Sequence, residues 1–154
     1  MSKITPARSE SLIRRYFDAC NAADEAALIA CFTLDAVHYF PPGLPDIPWR
    51  SGTVIAKKWA WCVDQLGSQW TIEHMLVGAD GTEAVIEWTH WKTKIGEVLR
   101  GDEWYRFDPD TGLIAEIRAY YASPVDKFRP VNSLEGFDYS GRGYALKPRS
   151  SKSA

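Results

Sequence analysis

No run of apolar residues in this 154-residue sequence is long enough to cross a bilayer. The opening Met1-Ser2-Lys3-Ile4-Thr5-Pro6 has no apolar secretory core, so a cytoplasmic location is expected. Cysteine is scarce: Cys20, Cys31 and Cys62 are odd in number, far apart and set among apolar neighbours. That pattern excludes a disulfide framework or a thiolate zinc site, and the three read as reduced core residues. There is no basic stripe, since 18 Lys and Arg are spread against 20 Asp and Glu for a net charge of −2. Phosphate backbones need clustered cations, so nucleic acid is excluded as the main partner. The one basic cluster, Lys147-Pro148-Arg149-Ser150-Ser151-Lys152, reads as a solvated end in a tail whose last eight residues are expected to be disordered. Internal repeats and a second domain are also lacking.

What the chain has in abundance is aromatic residues: seven Trp, seven Tyr and six Phe. Many of these belong to the core, and that many also suits an apolar ligand cavity. Residues 9–21 have helical spacing, with Leu12, Ile13, Tyr16, Phe17 and Cys20 on one stripe. Asp24 reads as the N-cap of a second helix over 25–33, and a short strand over 35–40 carries His38, expected to be exposed. Four prolines in residues 41–48 make a stiff loop before Trp49, and a third helix over 54–66 ends at Gly67. From there the period changes from 3.6 to 2, giving strands over 70–77, 84–92, 98–107 and 113–121 joined by short turns. The fold class is therefore α+β, with a curved, mainly antiparallel sheet wrapped around three N-terminal helices. Residues 1–123 form the domain, and 124–154 an arm and tail over the body or a partner subunit.

Alternation along the strands selects the candidate site. Ile86, Trp88 and His90 share one face; Leu99, Gly101, Glu103, Tyr105 and Phe107 share another; Ala119 and Tyr121 share a third. Trp70, Ile72, His74 and Leu76 are expected on one face of the first long strand. His90, Glu103 and Tyr121, joined by His74, would then stand among apolar groups on one inner surface. A polar cluster of this kind is what acid–base catalysis without a cofactor requires. Glu116 and Arg118 face outward and read as a surface or interface ion pair.

Several segments together resemble the nuclear transport factor 2-like superfamily and its SnoaL-like branch. These are Arg15-Tyr16, Asn21-Ala22-Ala23-Asp24, Cys31-Phe32-Thr33-Leu34-Asp35-Ala36-Val37 running into Pro41-Pro42-Gly43, Arg50-Ser51-Gly52-Thr53, Trp104-Tyr105-Arg106-Phe107 and Gly112-Leu113-Ile114. The resemblance spans residues 9–123 and implies a cystatin-like cone. Against the ketosteroid isomerases it implies an oxyanion-hole role for Tyr16 and a protonated oxyanion donor at Glu103, but Phe40 stands where their catalytic base lies. Against scytalone dehydratase it implies a catalytic His74.

The expected function is a cofactor-free acid–base enzyme, a lyase, isomerase or cyclase, acting on a hydrophobic oxygenated molecule of aromatic, polyketide-like or terpenoid type. His74 or His90 would serve as base, and Tyr16 and Glu103 as oxyanion donors. Tyr39, Phe40, Trp49, Trp88, Tyr105 and Tyr121 would shape the pocket. No metal or other cofactor is expected, and the chain is expected to form a homo-oligomer, most simply a dimer. Two alternatives are a non-catalytic ligand-binding or assembly subunit, with Trp91, Trp104 and Tyr120 at an interface, and a metal site from His74, His90 and Glu103.

Overall fold

The computed structural model describes residues 4–121 and 134–144. Helix α1 (Pro6–Ala22) starts where Thr5 accepts the Arg8 N–H and where Pro6 loses no needed donor. It stops at Ala23 in the left-handed region. Helix α2 (Glu25–Ile29) is capped by the Asp24 carboxylate, which accepts the Ala27 N–H at 3.0 Å. It is shorter than its sequence suggests. The chain is drawn into strand β1 (Phe32–Tyr39), where Phe32 pairs with Ile114. Strand β2 (Trp49–Arg50) leads through the Ser51 cap into α3 (Gly52–Leu66), which ends on left-handed Gly67. The antiparallel meander follows: β3 (Ser68–Val77), β4 (Glu83–Lys92), β5 (Glu97–Phe107) and β6 (Ile114–Tyr120).

The six strands form one curved, unclosed sheet in the order β2-β1-β6-β5-β4-β3. Only the β1–β6 pair is parallel. β1 is thus flanked on both sides rather than lying at an edge, and that placement buries His38 completely. The stripe of α1 packs into the core with Ile55, Ala56 and Trp59 of α3 and the inner residues Ala84, Ile86, Trp88, Tyr105, Phe107 and Ile117. Ser9 ties α1 to the β3–β4 turn by donating to the Gly81 carbonyl at 2.6 Å. Among the described residues no helix is long and apolar enough to cross a membrane.

Two irregularities reset the strand faces. In β3 the register shifts between Ile72 and His74, so Glu73 is the extra residue of a β-bulge. Side chains after it change sides: Met75 and Val77 pack on the core, while Leu76 is exposed, contrary to the simple alternation. A second shift between Arg106 and Phe107 of β5 brings Ile114 to the inner side of β6.

On the outer face, residues 134–144 lie against β1 and β6. Leu134 and Phe137 pack on Tyr39, with Val37, Tyr120 and Tyr139 around them. Glu116 and Arg118 do face outward, as alternation requires, but this segment buries them. Arg142 donates to Glu116 at 2.8 and 2.5 Å, and Arg118 donates to the same carboxylate at 2.8 Å. They form a covered ionic cluster, not a solvated surface pair. The basic tail over 147–152 lies outside the described residues.

Candidate active site

A cavity of about 540 Å³ is walled by residues of α3, of the loop before it and of the inner faces of β3 to β6. Its lining is strongly aromatic, with Phe40, Trp49, Trp59, Trp70, Trp88 and Tyr121 contributing. Trp59 stands edge-on to Trp49 at 4.8 Å and to Trp70 at 5.2 Å, a preferred arrangement for ring quadrupoles. Trp88 lies over Gly101, where a Cβ would come within 2.7 Å of the indole and 2.6 Å of the Tyr120 carbonyl. The glycine is what lets the indole lie flat in the wall.

Glu103 is the carboxyl on this wall, projecting from the inner face of β5. The Tyr105 hydroxyl, two residues along on the same face, donates to Oε2 at 2.5 Å. Burial pushes the Glu103 carboxyl up to about 7, and the tyrosine hydrogen bond only partly offsets this. Glu103 therefore gains and loses a proton near neutrality.

Behind Glu103 lies His38. Its Nδ1 is 3.3 Å from the Tyr39 carbonyl, so the N–H belongs there and Nε2 carries the lone pair. That Nε2 is buried, has no hydrogen-bond partner and lies 3.7 Å from Glu103 Oε1. The ring stacks on Phe40 at 4.0 Å with the planes 3° apart and meets the edge of Trp59 at 5.5 Å. Burial pulls the imidazole down to about 3. With both groups favouring their neutral forms, the contact is a carboxyl facing a neutral acceptor, not an ion pair.

His90 also lines the cavity. Its Nε2 lies 2.8 Å from Ser68 Oγ, and its ring stacks on Trp70 at 4.4 Å. Burial, helped by the nearby Lys92 charge, lowers it to about 4, so this imidazole too is neutral.

The structure brings Phe40, Trp49, Trp88, His90, Glu103 and Tyr121 together around one cavity. Tyr16 and Tyr105 stand behind it. The Tyr16 hydroxyl accepts the Trp59 indole N–H at 2.7 Å and hydrogen-bonds Cys20, and Tyr16 is not part of the lining. Tyr105, expected to shape the pocket, and Tyr16, expected to act in it, are thus outside the lining, and two further residues lie away from the cavity altogether. His74 is exposed and outside the cavity, because the Glu73 bulge turns it to solvent, where it meets Glu87 at 3.6 Å. Tyr39 points to the outer face, against Phe137 at 5.1 Å. With His74 elsewhere, the set His74, His90 and Glu103 does not converge. Among the described residues no group of three or more His, Cys, Asp or Glu is placed to hold a metal ion.

Sequence reasoning also misplaced His38, expected to be exposed and found fully buried. A signal existed: it shares its strand face with Ala36 and Phe40, both buried. What alternation does not reveal is that β6 closes over the far side of β1.

Among curated proteins none matches the chain. Among solved structures, a protein of unknown function with a cystatin-like fold from Methylobium petroleophilum PM1 is 48% identical. The match covers 98% of this chain and 99% of that one, with a TM-score of 0.88. A Mycobacterium tuberculosis protein solved with estradiol-17beta-hemisuccinate is 16% identical over 74% of this chain and 93% of that one, with a TM-score of 0.64. A candidate polyketide cyclase of Sinorhizobium meliloti is 20% identical over 70% and 91%, with a TM-score of 0.57. The last two likenesses are of fold. The SnoaL-like domain model matches residues 13–117, and with it the chain belongs to the SnoaL-like family.

Proposed function

We propose that this protein is a cofactor-free acid–base enzyme that dehydrates, isomerises or cyclises a hydrophobic oxygenated small molecule in the aromatic cavity. The observation that carries the reading is Glu103: a buried carboxyl on a largely aromatic wall, one oxygen held by Tyr105, with burial pushing it up to about 7. All three reactions take a proton from one atom of the substrate and give one to another. A carboxyl poised near the working pH exchanges protons in both directions at low cost. The neutral His90 offers a second acceptor on the same wall, and His38, through its unpartnered Nε2, faces Glu103 from behind. The candidate polyketide cyclase and the steroid-bound protein of the same fold fit a cavity for ring systems.

Turnover of a panel of aryl and polyketide-like substrates tests this. On any substrate the wild type converts, Glu103→Gln is expected to lose about 100-fold or more in kcat. The wild-type pH–rate profile is expected to break near 7. Unchanged turnover by Glu103→Gln and His90→Gln overturns the mechanism. A second reading, ligand binding without turnover, is favoured by Phe40, which occupies the place of the catalytic base in the ketosteroid isomerases. Tight binding across the panel with no conversion would establish it.

The chain is also proposed to self-associate through its outer sheet face. Leu76, Val85 and Trp104 stand in register across β3, β4 and β5, and Leu76 and Trp104 are exposed, as is the cross-strand pair Trp91 and Val98. A second copy would cover this row. Sedimentation velocity is expected to show a dimer that Trp104→Glu converts to a monomer.

A further inference from the structure

The charges around the cavity do not follow from the composition. The chain as a whole is acidic, with a net charge of −2, yet three lysines line the cavity and Glu103 is the one acidic residue with them. Two of the lysines, Lys57 and Lys58, project from α3, where Val54, Lys57, Lys58 and Trp61 follow helical spacing on one face. Val54 and Trp61 are exposed, which puts this face at the mouth, whereas Glu103 is deeply buried. The third, Lys92, ends β4.

The state of each ammonium matters. Lys57 makes no ion pair with a described residue. Lys58 meets Asp46 at 3.0 Å and Lys92 meets Glu97 at 3.0 Å, but Asp46 is largely solvent-exposed and Glu97 more than half so. Such pairs are weak and exchange readily for another anion. Both lysines line the cavity with Cys62, whose thiol burial pushes up while the two charges pull it partly back.

We infer that the cavity takes an amphipathic anion, with a rigid ring body among the tryptophans, an oxygen function facing Glu103, and a carboxylate at the mouth on Lys57, Lys58 and Lys92. This rests on reading the cavity as a small-molecule site and names the class of molecule that fills it. A neutral hydrocarbon would leave Lys57 without a counter-charge among the described residues and the other two with only exposed partners, and a cation would be repelled. An anion at the mouth also fixes the polarity of entry, so that the oxygenated end goes in first.

The test is calorimetric binding of matched pairs: hydroxy-substituted arene carboxylates of one, two and three fused rings, each beside its neutral carboxamide. At low salt the wild type is expected to bind the carboxylates about fivefold tighter than the amides, with the margin shrinking as salt rises. Lys57→Ala is expected to reduce that margin, and the triple change of Lys57, Lys58 and Lys92 to alanine to abolish it while amide binding persists. Equal affinities within every pair, failure of all the carboxylates to bind, or a preference untouched by the triple change overturns the inference. Because the readout is affinity, it separates from turnover. Glu103-dependent turnover without a charge preference sinks only this inference. A charge preference with turnover indifferent to Glu103 sinks only the acid–base reading.

Discussion

A carboxyl held near 7 costs the fold stability whenever it must ionise. Unfolded, Glu103 loses its proton around its ordinary 4.5; folded, it keeps it to about 7. Between those values the native state binds more protons, so stability falls as pH rises through the window and stays low above it. The full effect is about 3 kcal/mol. His38 and His90 act in the opposite sense. Their folded values of about 3 and about 4 lie below the ordinary 6.5, so the stability they confer is present above 6.5 and lost as pH falls. The difference between Glu103→Gln and wild type isolates the carboxyl. The variant is expected to be no more stable at pH 4 and more stable by up to about 3 kcal/mol at pH 8, as read by urea denaturation. Tyr16 gives a contrasting case. Its hydroxyl satisfies the buried indole N–H of Trp59, so Tyr16→Phe leaves that donor without a partner. A loss of about 1–3 kcal/mol in stability is expected, with turnover nearly unchanged, because the hydroxyl acts behind the wall.

At the level of elements, the alternation of β4 and β5 was readable from the sequence alone, and with it the inward faces of Trp88, His90, Glu103 and Tyr105. These strands pair without interruption from Glu83–Arg106 to Lys92–Glu97, so period 2 survives along their whole length. β3 was not readable in the same way. One extra residue, Glu73, inverts every side chain after it, and hydrophobic pattern over so short a stretch does not locate a bulge. The bulge is held by side chains: Glu73 accepts hydroxyl hydrogen bonds from Thr71 at 2.9 Å and Thr89 at 2.7 Å. His74 is thereby a surface residue, and His74→Gln is expected to leave both turnover and stability within about 0.5 kcal/mol of wild type. A large loss of kcat in that variant would return His74 to the site. β1 was misjudged for a different reason. Its burial depends on β6 arriving from nearly eighty residues later, and no local pattern encodes a parallel partner.

Across the whole molecule, the sheet separates two environments: a cavity face with buried imidazoles held neutral beside Glu103, and an outer face with a charged cluster under residues 134–144. Burial alone would raise the Glu116 carboxyl, but hydrogen bonds from Arg142 and Arg118 hold it below its usual range. Its contribution is present at neutral pH and lost as pH falls through that lowered value. Arg142→Ala is expected to cost about 1–3 kcal/mol by urea denaturation and to free residues 134–144 for proteolysis, without altering ligand affinity. The two faces would then prove energetically independent. The edge-to-face tryptophans of the cavity have one further consequence. At 4.8 and 5.2 Å their indoles are close enough for their transition dipoles to couple. The empty cavity should therefore carry an exciton couplet in circular dichroism, and any occupant that turns one ring will change its sign or amplitude, giving an unlabelled optical report of occupancy.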